Sequence, residues 1–346
     1  MTHIFPYLWN IKDGYPAKGI PAHGLKVFGT FICGGGSSMG YKLAGYDHLG
    51  GVEIDKAVAE IYRTNHHPKH LFVEDLRIFN ERTDLPDDLY NLDVLDGSPP
   101  CTTFSMAGQR EKTWGKEKVF AEGQAKQTLD DLVFVYCNTI AKLRPKVFLL
   151  ENVKGLALGN AKSYLRRVVE TLRKTGYTCQ VFILNGASMG VPQKRERCFV
   201  IGHRSELNYP KLDLSFSEPF IPFGTIIDRT DKSNTLSPEE TQAYSQWQKG
   251  DRTLADTKKR IFGKNTCFTC PWVVEDDVCP TLTTGYALLT SIPRKMNCVE
   301  MLRASTFPQD YDYPNENRLR FLTGMSVPPL MIAQIANQIR IQWLTR

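Results

Sequence analysis

Hydrophobic positions up to about residue 203 fall in short runs rich in branched side chains, which alternate with segments of helical periodicity. Short apolar runs are typical of buried strands, and apolar residues three and four apart are typical of amphipathic helices. The pattern predicts strands at Lys26–Phe31, Leu49–Ile54, Leu92–Leu95, Val147–Leu150, Cys179–Leu184 and Cys198–Ile201. It predicts helices at Ala57–Thr64, Leu129–Leu143 and Tyr164–Lys174.

Strands that alternate with helices indicate an α/β fold with a doubly wound, mostly parallel sheet. From about Arg204 to Pro293 the chain becomes polar and loses this alternation. An amphipathic helix at Met331–Trp343 is predicted to return to the first domain. We therefore predict a catalytic, cofactor-binding domain of residues 1–203 and 320–346, and a smaller domain of residues 204–319.

The 346-residue chain has no run of about 18 apolar residues, the length of a membrane span, and its start lacks the order of a signal peptide. Its nine cysteines are odd in number and scattered, which fits reduced thiols in a cytoplasm. Cys267 and Cys270 form one CxxC near Cys279, but no second pair or histidine cluster completes a zinc site, so no metal is expected. The net charge of +6 is mild evidence for a polyanionic partner.

A glycine-rich segment follows the first predicted strand and opens a helix, where doubly wound folds bind nucleotide-like ligands. Its residues are Phe31, Ile32, Cys33, Gly34, Gly35 and Gly36. The glycine spacing is not that of the dinucleotide fingerprint, which disfavours a nicotinamide-dependent dehydrogenase. A merely tight strand–helix turn is the alternative interpretation.

Two acidic residues come at the ends of the next predicted strands. Glu53, followed by Ile54, is placed to accept from ribose hydroxyls, and Asp75, followed by Leu76, is placed to accept from an adenine amino group. Each acid alone is equally compatible with a helix N-cap or an exposed loop charge. Their order along the chain favours a cofactor site.

Pro99 and Pro100 fix the backbone directly before Cys101, after another predicted strand. This setting presents the thiol at the carboxyl edge of the sheet, although a cysteine after a strand is more often a small buried hydrophobe. A thiol of ordinary pKa, about 8.5, is mostly protonated at neutral pH, so a nucleophile here needs help from its site or its substrate.

Glu151 ends a predicted strand among apolar neighbours, a setting that favours a raised pKa and a proton-donating role. A strand-end glutamate that faces water is the alternative. Further on, Arg195 and Arg197 lie two apart on an extended segment after Gln193, so both side chains are expected to face one side. An exposed basic turn would also explain them.

The ordered blocks of this chain resemble those of the DNA (cytosine-5)-methyltransferases of bacterial or phage type. The resemblance covers nearly the whole chain except about 204–278. Its blocks are Phe31–Gly36, Glu53, Asp75, Pro99–Cys101, Glu151–Val153, Gln193–Arg197, Thr281–Thr284, Glu300–Pro308 and Gly324–Pro329. Cys33 and Met325 depart from the family pattern, which commonly has glycine and asparagine there.

The resemblance implies S-adenosyl-L-methionine as the cofactor and a flipped-out cytosine of double-stranded DNA as the substrate. Cys101 would attack C6, Glu151 would protonate N3, and Arg197, with Arg195 nearby, would hold the base. The implied cofactor contacts are Phe31, Cys33, Gly34, Gly35, Gly36, Glu53, Ile54, Asp75, Leu76, Pro99, Ser326 and Val327. The implied DNA contacts are Pro100, Gln109, Arg110 and Gln193, with residues 102–127 as a closing loop or, alternatively, a disordered insertion.

The resemblance further implies a monomer in the cytoplasm, associated with the nucleoid, without a membrane, and with a cognate restriction endonuclease as a candidate partner. Residues 204–278 fall where the family keeps its target-recognition region. Two alternatives share the catalytic blocks: a tRNA cytosine-5 methyltransferase, since Cys267-Phe268-Thr269 is similar to a tripeptide of that group, and a catalytically silent DNA-binding relative.

Overall fold

The computed structural model describes residues 4–100, 132–159, 161–263 and 270–345. Seven strands of these residues form one sheet. They are β1 Lys26–Thr30, β2 Asp47–Val52, β3 His70–Phe72, β4 Val94–Gly97, β5 Val147–Val153, β6 Tyr177–Asn185 and β7 Glu196–Arg204.

The strand order is β3-β2-β1-β4-β5-β7-β6. Neighbours from β3 to β5 run parallel, and β7 runs antiparallel to β5. The predicted α/β fold with a mostly parallel sheet is therefore confirmed. Because β1 lies between β2 and β4, the chain reverses its direction of winding there, and ligands of such sheets bind at the carboxyl ends of the strands beside this point.

The described helices are α1 Gly36–Leu43, α2 Lys56–His66, α3 Leu76–Glu81, α4 Leu132–Leu143, α5 Ala161–Lys174, α6 Pro238–Ser245, α7 Leu254–Phe262, α8 Cys298–Ala304, α9 Glu316–Met325 and α10 Pro329–Ile339. The three predicted helices correspond to α2, α4 and α5, which follow β2, β4 and β5 in the chain. Residues 129–131 of the second of these predictions lie outside the described residues.

The chain divides into two compact units, each built from three segments. The sheet unit comprises Tyr15–Leu184, Glu196–Ser215 and Ile332–Arg346, and the second unit comprises Met1–Gly14, Asn185–Arg195 and Phe216–Met331. In the sheet unit, the core joins strand residues such as Phe28, Leu95 and Leu150 to apolar side chains of α3, α4 and α5. This core holds the strand ends in fixed positions.

Two helices of the second unit lie in the polar region where no regular alternation was predicted. Ser237 and Glu240 form a capping box at the start of α6, and Thr253 and Asp256 form another at the start of α7. Such boxes satisfy backbone amides that a short helix leaves unpaired. Behind the helices, Ala243, Leu254, Cys270, Trp272 and Leu288 form a small apolar cluster.

The helical stretch Glu316–Leu344 is long and apolar enough, by length and composition, to cross a membrane. However, 78% of its most apolar window is buried inside the protein. A mostly buried core helix passes the same test, so this stretch is weak evidence for a membrane span.

Candidate active site

The glycine-rich segment forms the turn between β1 and α1 in the sheet unit. Phe31, Cys33 and Gly35 have φ angles of 56°, 46° and 79°. Residues with side chains rarely adopt such values, so the turn at Phe31 and Cys33 is strained. The strain is compatible with a ligand-binding loop, and Cys33 occupies a left-handed position where glycine is common in the family.

Glu53 follows β2 directly and contacts this turn. Its carboxylate accepts hydrogen bonds from the backbone amides of Cys33 at 3.0 Å and Asp55 at 2.9 Å. Only 8% of the residue is exposed. Burial raises the pKa of Glu53, and the amide hydrogen bonds oppose the rise. A buried acceptor beside the loop fits the predicted ribose contact, and Ile54 follows it in a half-buried position.

Asp75 caps the N-terminus of α3. Its side chain accepts from the amide of Arg77 at 2.8 Å and pairs with the Arg77 guanidinium at 3.1 Å. Leu76, the first residue of the helix, is buried. The contacts of Asp75 are those of a helix cap, and its assignment to the adenine group stays a prediction.

The segment after β4 is attached to β5 by Asn152, whose side-chain amide donates to the carbonyl of Pro99 at 3.1 Å. Pro99 is buried and Pro100 is half-buried. Sequence reasoning assigned no role to Asn152, although its place beside Glu151 was a signal. Cys101, Gln109 and Arg110 lie outside the described residues.

Glu151 and Arg197 form an ion pair across β5 and β7, with Arg197 Nε 3.0 Å from Glu151 Oε1. Because β7 is antiparallel to β5, with Val153 opposite Arg197, residues distant in sequence meet at one end of the sheet. Burial lowers the pKa of Arg197, and the Glu151 carboxylate opposes the change. Together the two side chains offer a carboxyl that can carry a proton and a rigid set of N–H donors.

Arg195 belongs to the second unit and has different partners. Its guanidinium is fully buried and donates to the carbonyls of Leu282 at 3.0 Å and Gly324 at 2.8 Å. The amide of Gln193 is also buried, and it donates to Ala304 and accepts from Leu282. These contacts join the segments of the second unit. The predictions of a catalytic task for Arg195 and a DNA contact for Gln193 gain no support from them.

Ser326 and Val327 follow α9 in the second unit, and both are buried. Within the described part of the chain, the Ser326 hydroxyl has no hydrogen-bond partner. A buried hydroxyl without a partner is compatible with a polar ligand. Met325, the other departure from the family pattern, is 44% exposed and so is not a core residue.

No group of three or more His, Cys, Asp and Glu side chains that could hold a metal ion occurs among residues 4–100, 132–159, 161–263 and 270–345. The polar groups that the sequence singled out in the sheet unit lie instead at the carboxyl ends of β1, β2 and β5. This arrangement suits an organic ligand with hydroxyl and amino groups.

Comparison with known proteins gives one consistent family. The family model for C-5 cytosine-specific DNA methylase matches residues 25–340. The Type II methyltransferase M1.HphI of Haemophilus parahaemolyticus is 31% identical over 334 residues, covering 91% of this chain and 86% of the relative. The Type II methyltransferase M.AplI of Arthrospira platensis is 25% identical over 333 residues, covering 92% and 86%.

Solved structures share the fold. A prophage-encoded protein of E. coli, described as a DNA modification methyltransferase, aligns with a TM-score of 0.67 at 18% identity, covering 93% of this chain and all of that one. The DNMT2 of Spodoptera frugiperda aligns with a TM-score of 0.65 at 17% identity, covering 91% and 99%. At these identities the likeness concerns the fold alone.

Proposed function

Because the chain belongs to the family of C-5 cytosine-specific DNA methylases, we propose that it methylates C5 of a flipped-out cytosine through a covalent bond between Cys101 and C6. The chain is a DNA (cytosine-5)-methyltransferase; the cofactor, S-adenosylmethionine, and the covalent step are the proposal. The observation that carries it is the Glu151–Arg197 pair at the end of β5, beside the strand that leads to Pro99, Pro100 and Cys101.

The proposed cofactor would be held by the turn at residues 31–36 and by Glu53, whose buried carboxylate already binds that turn. Ser326 and Val327 belong to the second unit and are cofactor contacts on the family resemblance alone. When bound, S-adenosylmethionine supplies a methyl group on a positively charged sulfur. Of the predicted contacts, Asp75 has the least support, because capping α3 engages its carboxylate.

The chain's own residues must make C5 of cytosine nucleophilic. The Cys101 thiolate forms a bond to C6, and the displaced electron pair is accommodated as N3 takes a proton from Glu151. Arg197 holds O2 and thereby fixes the base against Glu151. After methylation the C5 proton leaves to solvent, the C6–sulfur bond breaks, and N3 returns its proton to Glu151, so that both side chains are restored.

In the structure the Arg197 guanidinium lies against Glu151 Oε1. The base must therefore bind between the two side chains before Glu151 can donate a proton to N3. Arg197 would hold O2 while remaining beside the carboxyl. The side chain of Asn152 supports the same site by binding the carbonyl of Pro99, two residues before the nucleophile.

We also propose that residues 204–319 recognise the DNA sequence. Basic side chains of this region are candidates for phosphate contacts. Arg252 and Lys259 are exposed, whereas Lys258 pairs with Glu239 and Arg260 pairs with Asp251. Arg252 and Lys259 are therefore better candidates than Lys258 and Arg260. We further propose that the protein acts as a monomer in the cytoplasm, with a restriction endonuclease as its partner.

Trapping with 5-fluorocytosine tests the covalent step. Fluorine cannot leave C5 as a proton does, so wild-type protein, cofactor and duplex DNA carrying 5-fluorocytosine should give an adduct that survives a denaturing gel. Cys101→Ala should abolish the adduct and methylation, while the control Cys298→Ser should keep both. An undiminished adduct in Cys101→Ala would contradict the assignment. An adduct with tRNA alone, and none with DNA, would favour the tRNA alternative.

A further inference from the structure

Asp96 is a further buried carboxyl near the carboxyl ends of the strands, where Glu53 and Glu151 also lie. It is the third residue of β4 and only 4% exposed. On one side its strand pairs with β1, with Gly29 opposite Asp96, and on the other with β5, with Leu149 opposite it. Asp96 thus lies between the strand that leads to the glycine-rich turn and the strand that carries Glu151.

The contacts of Asp96 reach the helix that begins at this turn. The Tyr41 hydroxyl donates to Asp96 Oδ1 at 3.4 Å, and the Ser37 side chain is also hydrogen-bonded to the carboxylate. Both partners lie on α1, whose first residue, Gly36, is the last residue of the turn. The Thr30 hydroxyl donates to the main-chain carbonyl of Asp96. Asp96 therefore attaches the start of α1 to the middle of the sheet.

Burial raises the pKa of Asp96 to about 7, with the Glu151 charge adding to the rise and the hydrogen bonds from Ser37 and Tyr41 opposing it. Three tyrosine phenols interact electrostatically with this carboxyl: Tyr41 on α1, Tyr62 on α2 and Tyr136 on α4. Burial raises the pKa of each phenol, so all three stay neutral. Asp96 thus changes its charge near neutral pH.

We propose that Asp96 is a positioning residue for the cofactor: when ionised it holds α1 and the glycine-rich turn in the conformation that binds S-adenosylmethionine. An ionised carboxylate can accept hydrogen bonds from Ser37 and Tyr41 together, and its charge strengthens both. A protonated carboxyl has one oxygen that acts as a donor, so it holds the helix less firmly. This inference rests on the proposed function, because it assigns a task toward the same cofactor.

The direction of the pH effect follows from the charge. If only the ionised form is competent, the apparent dissociation constant equals the intrinsic one divided by the ionised fraction. Between pH 8 and pH 6 that fraction falls about tenfold for a group with a pKa near 7, so wild-type affinity should fall by up to about tenfold. Binding at pH 7 should release about half a proton.

The experiment measures S-adenosylmethionine binding by calorimetry at pH 6, 7 and 8, in buffers of different ionisation enthalpy, without DNA. Asp96→Asn keeps an oxygen that accepts from α1 but has no charge. Its affinity for S-adenosylmethionine should therefore lack the loss of up to about tenfold that protonation of Asp96 causes in wild type between pH 8 and pH 6. Its proton release should be smaller by about half a proton at pH 7. Glu53 and the amino group of the ligand are present in both proteins, so the difference reports the removal of the Asp96 charge.

Asp93→Asn is the matched control. Asp93 is also buried and immediately precedes β4, but it binds the amide of Lys26 and the ammonium of Lys146 at the opposite end of the strand. This variant should keep the pH dependence of wild type. Thermal melts of all three proteins show that each is folded under the conditions of titration.

A kinetic measurement separates positioning from a general loss of structure. With DNA present, Asp96→Asn should change the pH dependence of KM for S-adenosylmethionine and leave kcat at saturating cofactor nearly constant. Equal pH dependence of binding in wild type and Asp96→Asn would overturn the role of Asp96 while leaving the proposed function supported. A folded wild-type protein that binds no S-adenosylmethionine at any pH would overturn both.

Discussion

The conformation of the glycine-rich turn depends on the residue packed beneath it. Gly35 has φ +79°, and a Cβ there would lie 2.0 Å from His66 Nε2. His66 is buried and stacks on Tyr62 with ring centroids 4.2 Å apart, so the imidazole has little room to move. We expect Gly35→Ala to displace the turn, to weaken S-adenosylmethionine binding at least about tenfold, and to lower stability by about 1–3 kcal/mol.

Gly19→Ala is the control for backbone strain alone. Gly19 has φ +85°, close to that of Gly35, but a Cβ there would meet no atom within 4 Å. It should lose about 1 kcal/mol of stability and keep the affinity of wild type. Calorimetry and chemical denaturation of both variants check this. Wild-type affinity in Gly35→Ala would show that the turn does not form the cofactor site.

Individual residues of the site could be predicted only in part. Glu53 and Glu151 stand at the ends of apolar runs, which already favoured a ribose contact for Glu53 and a proton-donating role for Glu151. The family resemblance added the identities of the cofactor and the base. The contact of Glu151 with Arg197 depends on β7 lying beside β5, which no local pattern shows. Asp96 could not be singled out at all, because its partners on α1 are more than fifty residues away in the chain.

Strands were the most predictable elements because parallel strands are covered on both faces. β5 begins with four buried apolar residues, Val147 to Leu150, and a continuous run of this kind is easy to recognise. By contrast, β3 has three half-buried residues, His70–Phe72. A strand was expected before Asp75, but its bounds could not be predicted. The position of β7 between β5 and β6 was also missed, since strand order is determined by contacts between distant segments.

The start of α8 depends on a buried ion pair. The Arg294 guanidinium binds both oxygens of Glu300, at 2.7 and 2.8 Å, and the same carboxylate accepts from the amides of Asp228 and Asn297. Glu300→Gln would remove the carboxylate charge that binds both ends of the buried guanidinium. We expect it to lower the free energy of unfolding by about 3–5 kcal/mol, measured by denaturant titration.

Glu316→Gln is the matched control at the start of α9. Glu316 pairs with Arg320 one helical turn later at 2.9 Å, but a third of its side chain is exposed. Such a pair contributes about 0.5 kcal/mol or less. Equal losses in the two variants would show that the Arg294–Glu300 pair is not what stabilises α8.

At the scale of the whole molecule, contiguous segments of sequence do not correspond to the two compact units. The N-terminal segment belongs to the second unit, where the Trp9 indole donates to the carbonyl of Thr306, and the amides of Ile11 and Lys12 donate to Asp310. Residues 185–195 join the same unit through Gln193 and Arg195. Periodicity identifies elements, but it does not show which distant segments share a core.

This organisation decides how sequence recognition should be tested. Asp228 and Asp231 bind the start of α8 through Glu300 and Asn297, and Lys194 binds Asp277, so these residues should be kept. Replacing residues 233–276 with the matching segment of a relative that methylates another sequence should transfer the new specificity, because this region contains α6, α7 and the exposed cations.

Bisulfite sequencing of DNA from cells that express the chimera measures the recognised sequence directly. The affinity for S-adenosylmethionine should stay within about twofold of wild type, since Glu53 and the glycine-rich turn lie in the sheet unit and are unchanged. A chimera that has lost this affinity is misfolded, and thermal melts identify it. An active chimera that still methylates the original sequence would place recognition outside residues 233–276. The kept segments of the second unit, among them 216–232 and 277–331, would then be exchanged in turn.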